Sequence, residues 1–445
     1  MARLIIGHTT HNAVTIWVRG DPKHPIGFVT CTGPQDLPER VIELEERHGY
    51  TGVVQIDQLT PQTSYDVQVA FGSTLQTGAL HRVDFGHCRG TFTTFPAPLT
   101  EVPLTFLVGS CNLHSIGFLS PPDPAFMTLL SIADQEKPHF MMHCGDLIYY
   151  DIPLPHKAPD IEEYRQKYLD AWGDCRPARK FLTQLPHYMI LDDHEIVNNF
   201  ANDMDGLHLS GSVETYRSMG VKVYREFVHI HNPQTYGNQA LYYTFSYGDI
   251  DFFVMDTRTE RFVNAGRGET RMVSSTQLQA LLDWLLVHRE QVKFIVSSVP
   301  FVGEVRNSDD KWCSALFRDQ RERILRHLLE HDIMGVTFLT GDMHTSYHGT
   351  MEIKSHDGNK SITIHELMSS PINQLDKQTI DNYVTRSRKQ ARQGEFTYTA
   401  VLSPQEFYGD HSNAMLIQVD NRRVTYEIFR TKKDRRQEVT QSFQV

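Results

Sequence analysis

Nowhere in this chain does an apolar run approach the roughly eighteen residues that a membrane-spanning helix needs. A helical membrane anchor is therefore excluded within these residues. Cysteine is sparse, with six in 445 residues and no CxxC pair. Scattered thiols of this kind do not build a disulfide framework, and they point to a reducing compartment. Basic excess is missing as well. A formal net charge of -11 argues against a general nucleic-acid binder, whose affinity rests on Lys and Arg against phosphates. A small phosphorylated substrate is still compatible, because the charge of a bound metal outweighs the global balance locally. The opening Met1-Ala2-Arg3-Leu4-Ile5-Ile6-Gly7 has neither an apolar h-region nor a small-residue cleavage site. The expected location is cytoplasmic, with a processed secreted form as the alternative. Internal repeats and low-complexity runs are also lacking.

What is present is an ordinary globular composition, 40% apolar and 22% charged, long enough for two or three domains. Residues 1–97 read as all-β. Ala13 to Val18, Val53 to Ile56, Tyr65 to Val69 and Gly90 to Phe95 are short β-branched or alternating segments broken by Gly and Pro. That spacing suggests a small sandwich, and Pro96-Ala97-Pro98 makes a natural boundary. From there to residue 445, strand patterns alternate with helical ones, as in an α/β sheet. Ser275-Thr276 is expected to cap a helix through Leu285, and Gln320 to His331 reads as another helix. Residues 373–397 are polar and charged and read as a helix or loop, with 373–410 a candidate lid. Ala414 to Val419 and Arg423 to Phe429 form a predicted hairpin turned at Asp420-Asn421.

Four apolar runs end in chemistry. Leu104 to Val108 leads into Gly109-Ser110-Cys111, and Phe140 to Met142 into Gly145-Asp146 with Tyr149 beyond. Tyr188 to Leu191 leads into Asp192-Asp193-His194-Glu195, and Val336 to Leu339 into Gly341-Asp342-Met343-His344. Open α/β sheets gather ligands at the carboxyl ends of their strands, so these groups can converge on one metal site. Asp146 is the strongest candidate, a carboxylate that can bridge two ions beside a glycine that lets backbone approach. Taken alone, Cys111 is a small buried hydrophobe, and Tyr149 is core or rim packing. In this company both become candidate ligands, the thiol deprotonated by the metal. Asp193 is a candidate ligand and His194 a candidate general acid, with Asp192 and Glu195 orienting them. Asn198 and Asn199 are candidate substrate contacts, although helix capping accounts for either alone. Asp342 and His344 straddle one residue, so an extended segment would turn both to one face, each toward its own ion. Arg258, after Asp256-Thr257, is a candidate phosphate clamp or the partner of Asp256. His187, His327 and His365 carry no distinguishing spacing.

These stretches in order resemble the alkaline phosphatase D (PhoD-like) family of metallophosphoesterases. The resemblance rests on Gly-Ser-Cys, Gly-Asp-x-x-Tyr, Asp-Asp-His-Glu-x-x-Asn-Asn, Gly-Asp-x-His and Asp-Thr-Arg, after a fibronectin-like N-terminal segment. It implies a four-layer α/β metallophosphoesterase sandwich behind a fibronectin- or immunoglobulin-like β domain. It also implies Fe3+ held at Cys111, Asp146 and Tyr149, and Ca2+ at a second site bridged by Asp146 with Asp342 contributing. Mn2+ or Zn2+ are the alternative metals. The wider superfamily carries a histidine ligand on the strand corresponding to Phe294 to Val299. This chain has Ser297-Ser298 there, which suits the harder oxygen set that calcium prefers.

The expected activity is a metal-dependent phosphoric ester hydrolase, an alkaline phosphomonoesterase with in-line attack by metal-bound hydroxide. Its substrate would be a phosphorylated small molecule or lipid. The rival on the same site is a phosphodiesterase or phospholipase D-like hydrolase. The rival from another class is a non-catalytic binding protein on a decayed metallo-domain, disfavoured because the ligand set is complete.

Overall fold

The computed structural model describes residues 3–74, 80–86, 88–114, 124–152, 158–174, 176–206, 209–266, 268–374, 378–432 and 437–445. The N-terminal region is built from strands, with one 3-10 turn at Glu46–His48: β1 (Leu4–Thr9), β2 (Ala13–Arg19), β3 (Ile26–Thr32), β4 (Arg40–Glu43), β5 (Thr51–Asp57), β6 (Ser64–Thr74), β7 (Leu80–Val83) and β8 (Arg89–Thr93). β1, β2 and β5 form one antiparallel sheet, and β4, β3, β6 and β7 another, with β8 added on β6. Alternation in β5 and β6 turns Val54, Ile56, Tyr65, Val67 and Val69 into a shared core with Ile16 and Val29. Trp17 leaves that core and donates its Nε1 proton to the Glu226 carbonyl, 2.9 Å away, tying these sheets to the rest of the chain.

The remaining elements are β9 (Leu104–Gly109), α1 (Pro124–Glu136), β10 (Met141–His143), α2 (Ile161–Leu169), α3 (Arg176–Phe181), β11 (His187–Met189), α4 (Val213–Phe227), β12 (Tyr243–Tyr247) and β13 (Ile250–Val254). They continue through α5 (Ser275–Leu286), β14 (Lys293–Val296), α6 (Arg318–Glu330), β15 (Val336–Thr340), β16 (Ser346–Ser355), β17 (Ser361–Met368), β18 (Arg386–Gln390), β19 (Phe396–Tyr408), β20 (Asn413–Asp420), β21 (Arg423–Arg430) and β22 (Gln437–Gln444).

Two mixed sheets result, ordered β11-β10-β9-β20-β21-β22 and β12-β13-β14-β15-β17-β16-β19-β18. β9, β10 and β11 run parallel in the first, and β13, β14, β15 and β17 in the second. The sheets meet face to face through an aromatic layer that includes Phe106, Phe140, Tyr188, Phe245, Phe252 and Phe294. Burying each such ring contributes about 1.5–3 kcal/mol. α1 and α3 cover the outer face of the first sheet through Leu129, Ile132 and Phe181. α5 and α6 cover the second through Leu281, Leu285, Ile324 and Leu328. Successive residues Phe252 and Phe253 serve opposite layers. That explains why these strands read as continuous apolar runs rather than alternating ones.

Two expectations need correcting. The cap of α5 is Ser274, whose extended backbone lets its hydroxyl accept from Gln277 N at 3.1 Å. Within 373–397 lies a strand, β18, paired with β19 at the sheet edge, and with β19 it makes 386–408 part of a sheet rather than a lid. Its sequence Arg-Ser-Arg-Lys-Gln carries no apolar period, because a charged edge strand faces water and discourages pairing with other chains.

The core also holds histidines. His143 and His187, on neighbouring strands, share a hydrogen bond of 3.0 Å. Burial lowers His8 and His187 to about 4, and His229, His231 and His365 to about 3. The folded pKa lies below the unfolded one, so the unfolded chain takes up protons first. Stability is thus whole above pH 6.5 and falls as pH drops toward 4, by about 1.4 kcal/mol per pH unit for each such histidine. Urea midpoints at pH 7.5, 6 and 5 should fall steeply. A flat series would show that these rings are solvated.

Candidate metal centre

The polar groups sit where seven parallel strands of the two sheets stop. β9 delivers Cys111, β10 Asp146, β11 the run from Asp192 to Glu195, β13 Arg258, β14 Ser298, β15 Asp342, and β17 Ser370. Leaving a strand this sharply requires unusual backbone. Cys111, Asp146, Asp342 and His344 have φ of +59°, +54°, +73° and +48°, a region that costs an L residue about 1–2 kcal/mol. Strain of this kind collects at functional sites. Two glycines allow the strand ends to close on one another. A Cβ on Gly145 (φ +95°) would lie 2.5 Å from Asp192 Cβ, and one on Gly341 would lie 2.6 Å from the Cys144 carbonyl oxygen.

Asp146 is the hub. Its Oδ2 accepts from the Cys111 thiol and from the Tyr149 hydroxyl, each at 3.2 Å, and its Oδ1 from the His194 amide at 3.4 Å. The Tyr149 hydroxyl also lies 3.4 Å from His344 Nε2. Cys111, Asp146 and His344 make one group of donor atoms within 4.8 Å of one another, and Asp146, Asp193 and His194 a second. Asp146 belongs to both. Burial, reinforced by neighbouring negative groups, holds Cys111, Tyr149 and Asp146 well above their usual pKa ranges. Without a cation this shift favours their protonated forms, and a cation binding there displaces protons.

A third group, Asp192, Asp193 and Asp342, is all oxygen. Two cationic side chains stand among these carboxylates. The fully buried Arg258 bonds Asp192 through Nε and reaches Asp193 and Asp342 at 3.5 Å. Lys311 contacts Asp342 and lies 2.6 Å from Asp310. Burial raises Asp192 to about 6 against the pull of Arg258. Asp193 is also buried, yet Arg258, His194 and Lys311 hold it below the carboxylate range. Ser298 Oγ donates to Asp192 Oδ1 at 2.6 Å, whereas Asp192 Oδ2 and Asp193 Oδ1 are buried without a hydrogen-bond partner among the described residues. Overlapping thiol, phenol, imidazole and carboxylate donors, with buried carboxylate oxygens left over, fit a site for bound cations.

His194 stands at the rim with Nδ1 2.7 Å from Asp151 Oδ1, its ring centre 4.2 Å from that of Tyr149. Burial lowers its pKa, but Asp193, Asp146 and Asp151 more than reverse this and raise it to about 11. The Asn198 amide donates to Asp151 Oδ2 at 2.7 Å and the Asn199 amide to Asp193 Oδ2 at 2.5 Å. Both asparagine side chains are exposed.

The fold thus gathers Cys111, Asp146, Tyr149, Asp193, His194, Asp342, His344 and Arg258 at one mouth, with Asn198 and Asn199 at its edge. Two local expectations differ. Asp342 and His344 are not in extended backbone; their positive φ values swing them into different donor groups. Asp256 does not pair with the Arg258 guanidinium but accepts the Arg258 and Thr259 amides at 3.1 and 2.9 Å, as a turn cap does. Sequence reading missed Asp151, Asp310 and Lys311. Asp151 was within reach of it, five residues past Asp146. Asp310-Lys311 follows no apolar strand and carries no local signal.

A family model described as PhoD-like phosphatase matches residues 106–428. Alkaline phosphatase D of Bacillus subtilis (strain 168) is 25% identical over 303 residues, which is 59% of this chain and 50% of that protein. The chain spans about half the length of this curated relative. A solved structure of PhoD aligns with all of this chain and 90% of its own, with TM-score 0.74 and 18% identity. The purple acid phosphatase PPD1 from yellow lupin (Lupinus luteus) seeds aligns with 99% of this chain and 74% of its own, with TM-score 0.61 and 12% identity. At these identities the two structures establish the fold, the metallophosphoesterase-type sandwich.

Proposed function

This chain belongs to the PhoD-like phosphatase family, and from that membership we propose a metal-dependent phosphoric ester hydrolase, acting first on phosphomonoesters. The observation that carries the reading is the position of Asp146, which takes hydrogen bonds from Cys111 and Tyr149 and belongs to two donor groups at once. Cys111, Asp146, Tyr149 and His344 would hold the first ion, Fe3+ by donor type. Asp146, Asp193 and Asp342 would hold the second, Ca2+ by its oxygen preference. When bound, the pair supplies a water of lowered pKa and positive charge facing the phosphoryl oxygens.

The protein's own groups do the rest. His194, oriented by Asp151, holds a proton for the departing alkoxide. Arg258 fixes Asp192 and Asp193 from behind and adds positive charge beneath the phosphoryl group. Asn198 and Asn199 offer their exposed side-chain carboxamides to the substrate at the rim. The same reading divides the chain into a β-sandwich over 1–97 and a catalytic domain over 98–445, with a phosphorylated small molecule or lipid as substrate.

Parallel rates on aryl phosphate monoesters and diesters test the activity, and faster diester cleavage would favour the phosphodiesterase reading. The iron assignment has its own test. A phenolate–ferric charge-transfer band is expected in the visible spectrum and should vanish in Tyr149→Phe. A colourless, fully active protein holding only zinc or manganese would refute iron.

A further inference from the structure

Lys311 belongs to no strand-end motif, yet it stands in the mouth of the site with its side chain 8% exposed. Its position is fixed from below. The neighbouring Trp312 is fully buried, donates to Ser297 Oγ at 3.2 Å and packs 5.4 Å from the Phe301 ring. The ammonium therefore has two carboxylates and little else to choose between. One is Asp342 and the other is Asp310, at 2.6 Å. Asp342 is also a member of the all-oxygen donor group, so its oxygens cannot serve a close lysine and a divalent ion equally well.

The charges around it bear on this competition. Ion pairs join Asp192, Asp193, Asp310 and Asp342 to Arg258 and Lys311, and His194 and Arg261 add positive charge close by. Asp310 is not in that donor group, so it can keep the lysine after Asp342 has given it up.

We propose that Lys311 competes with the second ion for Asp342 and, once displaced onto Asp310, uses its ammonium to contact the phosphoryl group of the substrate. The lysine is then a stand-in cation in the ion-free site and a phosphate-binding residue in the loaded one. Occupancy of the second position and readiness for phosphate become linked through a single side chain. This inference rests on the two-ion reading above.

Calorimetric titration of Ca2+ into the purified protein, and of inorganic phosphate into the Ca2+-saturated protein, tests it in wild type, Lys311→Met and Lys311→Arg. Removing the competing charge should tighten second-ion binding at least about tenfold in Lys311→Met. The same variant should bind phosphate about tenfold more weakly, having lost a charged donor. Lys311→Arg, which keeps the charge, should stay within about threefold of wild type in the first titration. A lysine with only a structural role would instead lower the melting temperature and weaken Ca2+ binding. A second ion that binds Lys311→Met no more tightly than wild type overturns the inference alone, as does undiminished phosphate affinity. Wild-type protein that takes up no second ion overturns the two-ion reading and this inference with it.

Discussion

Asp146→Asn is expected to empty the metal centre and abolish phosphate-ester hydrolysis together, while the protein stays folded. The expectation of a sound fold is specific. Asn is among the side chains that tolerate the left-handed region, so φ of +54° at this position poses it no new problem. The Asp146 carbonyl, which accepts the Asn112 amide at 2.9 Å, is unaffected. Burial already shifts the carboxyl toward its neutral form when no cation is present, so the amide is close to the acid in shape and places no new charge in the core. The loss appears only when a cation should bind, because the amide carries no negative charge to offer it. Loss of transition-state stabilisation of about 4 kcal/mol or more corresponds to at least a thousandfold fall in kcat/KM. Metal content, melting temperature and aryl phosphate hydrolysis should be measured on the same preparation. Retained turnover with full metal content would remove Asp146 from the bridging position.

His194→Asn should behave differently. The asparagine amide can replace Nδ1–H as donor to Asp151, preserving the 2.7 Å contact while deleting the proton-carrying nitrogen. The metals should remain, and kcat should fall by about 10²- to 10⁴-fold, the usual range for general acid–base catalysis. Aryl esters with good leaving groups should suffer least, since their alkoxide needs little protonation. The pH profile gives a second readout. The carboxylates around His194 raise its pKa to about 11 in the ion-free protein, and bound cations oppose that rise. In the loaded enzyme the acid should deprotonate at lower pH than this, cutting activity on its alkaline side, and that limb should vanish in the variant. Loss of metal from His194→Asn would instead make the histidine a ligand.

Much of this centre was legible because each candidate follows an apolar strand, and parallel strands buried on both faces announce themselves as continuous apolar runs. Phe140 to Met142 before Asp146 and Val336 to Leu339 before Asp342 are examples. What stayed hidden has physical reasons. The positive φ values at Asp342 and His344 are set by tertiary closure around Gly341; Asp and His tolerate the left-handed region, but that tolerance does not single out these two positions. Asp151 orients His194 from a loop position whose partner is 43 residues away. Lys311 reaches the site because Trp312 is anchored beneath the second sheet, a long-range fact with no trace in the residues around it. β18 escaped notice because its exposed edge is polar by necessity.

The most direct test follows aryl phosphate hydrolysis and metal content on one sample through chelation and stepwise readdition of metal. If the overlapping groups around Asp146 form the catalytic centre, activity vanishes with the metal and returns in proportion to its uptake. A chelated, metal-free protein that hydrolyses the ester at an undiminished rate would contradict the account.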